Sequence, residues 1–160
     1  MLNLVNERRL QSSLPPLTSD PILIQAASQH AQDLANAIPN PPNIAMLLEQ
    51  RQFPYLMLAD DVAFNGQTEQ DTMNQLVASK RHLAPMLLSN MTRFGSARAD
   101  ASTGVPYYVL VFASVNTTHE HQQGEYFTWT FKGSNLTVTG APRPVMVKLL
   151  HVLQQYEAKP

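Results

Sequence analysis

The chain of 160 residues contains no cysteine, which removes a disulfide framework, a thiolate metal site and a cysteine nucleophile together. The missing thiols do not fix a compartment, because a domain of this length can be secreted without disulfides. Charge is scarce too: Asp, Glu, Lys and Arg make up 14% of the residues, and the net charge is -1. The two signs are interleaved, so there is no one-sided basic surface for nucleic acid or anionic lipid to select. The longest apolar run, Tyr107 to Val115, falls well short of the roughly 20 residues a membrane-spanning helix needs. Residues Met1 to Leu10 lack an unbroken apolar stretch and do not read as a signal peptide. Either the protein is intracellular, or a secretion signal was trimmed ahead of Met1. No internal repeat and no low-complexity stretch is present.

What is there suits a globular protein. Apolar residues reach 44% of the chain, enough for a single domain over 1–160 to bury a core without covalent staples. Leu2 to Leu10 reads as a short helix with Leu2, Val5 and Arg9 on one side, and Ser12-Ser13-Leu14-Pro15-Pro16 breaks it. Asp20 before Pro21 is a helix start, an acceptor at the cap and a proline in the first position. Ile24, Ala27, Ala31, Leu34 and Ile38 then recur at helical spacing, and Pro39 to Pro42 ends the run. A further short helix is expected over Ile44 to Gln52.

Tyr55 to Phe64 reads as a strand closed by Asn65-Gly66, and Thr68 to Ser79 as a helix with Met73, Leu76 and Val77 inward. A helical turn over His82 to Leu88 follows, then strands over Gly95 to Ala99 and Tyr107 to Val115. Tyr126 to Phe131 and Leu136 to Thr139 flank Lys132-Gly133-Ser134-Asn135 as a hairpin. Its Phe127, Trp129 and Phe131 share one face by alternation. Val145, Leu149, Val152 and Tyr156 mark a closing helix. This order predicts an α+β layered domain.

Three stretches resemble one family in the right order. Leu4-Val5-Asn6-Glu7-Arg8-Arg9, Leu14-Pro15-Pro16-Leu17 and Asp20-Pro21-Ile22-Leu23 are similar to the opening of the CAP superfamily: an Asn-x-x-Arg helix, a Leu-x-x-Leu connector and an Asp-x-x-Leu helix start. Ala26 to Leu34 resembles that family's alanine-rich second helix. Ser79-Lys80-Arg81-His82-Leu83-Ala84-Pro85-Met86-Leu87 with Phe94-Gly95 looks like the disulfide-free bacterial and fungal form, Ser-Pro-x-His-Arg-x-x-x-Leu with a downstream Val-Gly. Tyr107 to Ala113 matches the last core strand. The likeness covers about residues 2–115, and 116–160 would be an added hairpin and helix.

The resemblance implies an α-β-α sandwich, a central antiparallel sheet flanked by helices, with a cavity that usually holds two histidines and two acidic residues. His82 falls on the second histidine, and Asp60, in Ala59-Asp60-Asp61-Val62-Ala63, falls on the glutamate of Gly-Glu-Asn-Ile-Ala. The first histidine has no counterpart between Pro39 and Asn43, and Ser79 stands where the helical glutamate would be. The cavity set is then Asp60, His82 and Ser79. A divalent metal such as zinc would have His82 and Asp60 alone, short of the three or four ligands zinc sites use, so no cofactor is required. The plainer reading is an imidazole–carboxylate pair that ties a helix to a strand.

Other candidates read as structural. Asp61 should point away from Asp60 on a strand, so the two are no acid–base dyad. His30 borders an apolar stripe as a packing or capping histidine. His119 and His121, two apart, would share one side of a strand, but no third ligand follows. There is no Gly-x-Ser-x-Gly elbow, and Ser79 with His82 is a loose Ser–His pair. Asn90, Asn116 and Asn135 each begin a glycosylation sequon. The expectation is an extracellular, non-enzymatic CAP-like domain that binds a small apolar ligand (a sterol or fatty acid) or a protein partner. The alternatives are a metal-dependent hydrolase using His82 and Asp60, and a secreted interaction domain without a small ligand.

Overall fold

A computed structural model of the chain describes residues 1–115, 128–130 and 137–139. They fall into two compact units, one of Met1–Phe53 with Met57–Val115, the other holding the last two short strands.

In the first unit, helix α1 spans Leu2–Gln11 and buries Val5 and Arg9, one turn apart. Ser13 then takes a left-handed φ of 56°, and the prolines that follow cannot rebuild the helix. Strand β1, Thr18–Ser19, is only two residues long, too short to leave a period in the sequence, and was not expected. Helix α2, Pro21–Ala35, starts as its cap predicts: the Asp20 carboxylate accepts from the N–H groups of Ile22 and Leu23 at 2.9 and 3.3 Å. Its buried face is Leu23, Ala26, Ala27 and Ala31, while Ile24 and Ile38 of the expected stripe are exposed.

That shift has a cause at the sheet. A Cβ placed on Gly95 would lie 2.4 Å from the Leu23 carbonyl carbon, so helix and strand meet backbone to backbone, and alanines fit that gap where isoleucine would not. Helix α3, Ile44–Gln50, is capped by Asn43. Helix α4, Glu69–Ala78, opens with a reciprocal capping box between Thr68 and Asp71. Helix α5, Lys80–Met86, follows after a single residue, Ser79.

Strands β2 (Met57–Phe64), β3 (Arg93–Asp100) and β4 (Pro106–Ser114) join β1 in one sheet ordered β1-β3-β4-β2. The three long strands are antiparallel, and β1 alone runs parallel to its neighbour β3. Helix α2 covers β3 and β4 on one side. On the other, Val5, Met73, Leu76 and Met86 from α1, α4 and α5 pack with Ala63, Phe94, Tyr108, Leu110 and Phe112 of the strands. The result is the expected sandwich, helices on both faces of a sheet.

The second unit contains β5 (Thr128–Thr130) and β6 (Thr137–Thr139), an antiparallel pair with Trp129 opposite Val138. Within the expected hairpin, the described residues Thr128–Thr130 and Thr137–Thr139 are paired as strands. The closing helix over Val145 to Tyr156, the aromatic positions Phe127 and Phe131, and His119 and His121 lie outside the described residues.

Candidate functional site

The Asn-x-x-Arg stretch of α1 turns out to be a pair of backbone clamps. Asn6 accepts from the Leu17 N–H at 2.8 Å and donates to the Leu17 carbonyl at 3.0 Å, holding the connector as a neighbouring strand would. The Arg9 side chain is fully buried without a carboxylate partner. It donates to the carbonyls of Pro15 (2.8 Å), Met86 (2.7 Å), Leu88 (2.9 Å) and Met91 (3.4 Å). Two of these carbonyls stand at or just past the C-terminal end of α5, where the helix dipole is negative. Desolvation lowers the Arg9 pKa, yet a guanidinium stays charged, so fixed dipoles neutralise it.

Arg9 therefore fixes the end of the helix that carries His82. The imidazole Nδ1 of His82 lies 2.5 Å from Oδ1 of Asp61, with His82 38% and Asp61 6% exposed at their side chains. The same oxygen accepts from the Val62 N–H at 3.1 Å, while Oδ2 is buried with no partner. Burial pushes the Asp61 pKa up. The hydrogen bond and charge of His82 and the bond from Val62 pull it back, and the neighbouring Asp60 adds to the rise. When Nδ1 donates its proton to the carboxylate, Nε2 is left as the acceptor nitrogen of a partly exposed ring.

The pairing expected between His82 and Asp60 is thus made by Asp61. Strand alternation explains the correction. Asp61 lies between Ala59 and Ala63 on the face of the α1, α4 and α5 layer, where it stands opposite Leu110 in the register. Asp60 turns to the α2 side, exposed at the sheet edge, where lost solvation still raises its pKa and nearby His30 opposes the rise. His30, expected as a packing or capping histidine, donates from Nδ1 to the Pro42 carbonyl at 3.0 Å. By the alignment that set Asp60 on the glutamate, Asp61 falls on the asparagine of Gly-Glu-Asn-Ile-Ala. Only the local face could have singled it out.

Ser79 is half-buried at the α4–α5 junction and makes no side-chain capping bond; it is not hydrogen-bonded to His82. Among the described residues no three His, Asp or Glu side chains gather as a metal site, and His82 with Asp61 alone falls short of a zinc set. Asn90 is exposed beside Thr92, with its amide against the Met57 sulfur. Asn116 and Asn135 lie outside the described residues. No described helix is long and apolar enough to cross a membrane.

Comparison with known proteins agrees with this architecture. The family model described as the cysteine-rich secretory protein family, CAP, matches residues 2–112. No curated protein matches the chain. Among solved structures, the fold is similar to an outer surface protein from Borrelia burgdorferi at 15% identity, with a TM-score of 0.63 over 72% of this chain and 90% of that one. An extracellular protein containing a SCP domain from Bacillus anthracis aligns at 17% identity and a TM-score of 0.60, covering 71% of this chain but 38% of the other. A cysteine-rich secretory protein from Staphylococcus aureus gives 20% identity and 0.60, covering 71% and 36%. The chain thus spans well under half the length of the last two.

Proposed function

The chain belongs to the cysteine-rich secretory protein (CAP) family, and on that premise we propose that it is an extracellular binding domain for a small apolar ligand of the sterol or fatty-acid class. One observation carries the reading: the polar groups at the resembling motifs that are buried or half-buried act as ties between segments. Asn6, Arg9, His30 and Asp61 with His82 each join one element to another. Around those ties the α1, α4 and α5 layer keeps Leu2, Leu4, Val77, Leu83, Leu87 and Leu88 only partly buried against its core, an apolar surface of the kind a sterol or acyl chain packs against. Native mass spectrometry of the purified chain with added cholesterol or palmitate tests the reading. Retention of one ligand per chain, reduced by Leu83→Glu, is expected; no uptake of either overturns it.

A second reading rests on the Asp61–His82 bond. A buried carboxylate that fixes one nitrogen of a partly exposed imidazole is an arrangement general bases use. It supports a hydrolytic role in which Nε2 of His82 takes a proton from an attacking water. Ester or peptide hydrolysis that disappears with His82→Ala would favour it, and turnover unchanged in that variant would discard it.

A further inference from the structure

We propose that the outer edge of β2, which no described residue pairs, is a docking site for an extended peptide carrying a lysine or arginine, which adds to the sheet as a further strand. Asn65 donates its N–H to the Pro106 carbonyl at 3.1 Å, in line with the unbroken one-to-one register between β2 and β4. In an antiparallel pair every second residue directs both backbone groups at the partner. Ala63, Asp61, Ala59 and Met57 therefore face β4, and Leu58, Asp60, Val62 and Phe64 turn theirs outward. The Val62 N–H is occupied by its neighbour's Asp61 Oδ1. The N–H groups of Leu58, Asp60 and Phe64 have no hydrogen-bond partner among the described residues.

The sheet's two edges differ sharply. One ends in the two residues of β1, and the other in all eight of β2. Natural edges are blunted by proline, by charges (lysine above all), by bulges or by shortness. Met57-Leu58-Ala59-Asp60-Asp61-Val62-Ala63-Phe64 has no proline, lysine or glycine, and its only charges are the two acidic ones, Asp60 and Asp61. Such an edge suits strand addition, in which main-chain bonds supply affinity and alternate side chains supply selectivity.

Charge decides the occupant. If a second copy paired its own β2 antiparallel, the registers of fullest overlap would set Asp60 or Asp61 directly or diagonally against a carboxylate of the partner, which is unfavourable. A strand with a cation opposite Asp60 reverses that sign, and the exposed Asp60 carboxylate is available to meet it. The proposal concerns the strand edge and does not depend on the apolar-ligand reading, which concerns the helical layer.

The test is a titration of the isotope-labelled chain, followed by amide NMR, with the probe peptide acetyl-Thr-Val-Lys-Val-Thr-amide and its twin with glutamate for lysine. The lysine peptide should shift the amides of Leu58, Asp60 and Phe64 and slow their exchange with solvent. The glutamate twin should bind about fivefold more weakly, the effect of one opposed like-charge pair. Leu58→Pro removes an outward N–H without touching the β4 ladder and should weaken the lysine peptide about tenfold, the loss of one or more main-chain bonds. Circular dichroism confirms that the variant folds, and Asp60→Asn, which keeps the strand, supplies a second variant that should erase the difference between the two peptides. Shifts confined to other residues, no shift at millimolar peptide, equal binding by both peptides, or concentration-dependent self-association through β2 would each overturn the proposal.

Discussion

Helix α2 reaches the sheet through Leu23, Ala26, Ala27 and Ala31, so closely that Gly95 has no room for a Cβ. Helices α1, α4 and α5 stand off the opposite face behind Phe94, Phe112 and Tyr108. They are held there by directional polar bonds, from Arg9 to four carbonyls and from His82 to Asp61. Shape holds the first layer, and in the second hydrogen bonds join the apolar packing. A shape-held contact tolerates no added volume, whereas a bonded contact tolerates no lost donor.

The largest break in that contrast should come from Arg9→Ala, which strips three close carbonyls of their donor and leaves a cavity. A loss of about 4 kcal/mol in urea denaturation is expected. Arg9→Lys should recover less than half, because an ammonium cannot fork to separate acceptors as a guanidinium does. On the other layer, Gly95→Ala should cost about 3 kcal/mol by overpacking against the Leu23 backbone. If it instead proved neutral, the close approach of α2 would be wrong.

His82→Ala comes next. It leaves the buried Asp61 carboxylate with the Val62 N–H alone, and a loss of about 2 kcal/mol near neutral pH is expected. Asp60→Ala, on the α2 side, should change stability by less than about 0.5 kcal/mol as an exposed position. A reversed ranking of these two would return the histidine's partner to Asp60.

The smallest effect sharpens the comparison through pH. The folded-state pKa of Asp61 is raised from its ordinary 3.8, so the folded chain binds this proton more readily than the unfolded one. The resulting stabilisation is fully present below 3.8 and is lost as pH rises through the raised folded value. Denaturation of Asp61→Asn and the parent chain in parallel isolates it: the parent should gain stability relative to the variant as pH falls through that window. A difference that does not vary with pH would show that Asp61 titrates alike folded and unfolded.

Much of the fold was legible in the residue pattern because its signals are local. The Asp20-Pro21 cap, the Thr68 start, the apolar run of β4 and the prolines after α1 each act within a few positions, and their elements formed close to where they were read. The CAP likeness stood on motifs of the same kind. Less of the site was readable. Asp60 and Asp61 are chemically identical neighbours, and choosing between them needs the face each one takes.

Sequence alone determined the element order, the layered α+β class, the buried side of α1 at Val5 and Arg9 and the absence of thiol chemistry, since these follow from composition and short-range spacing. Tertiary structure alone decided that β1 joins the sheet, that α2 turns alanines rather than Ile24 to the strands, that Arg9 grips the end of α5, and that His82 meets Asp61. Each of those depends on contacts between segments distant along the chain, where packing distance and strand parity choose among residues that local pattern leaves equal.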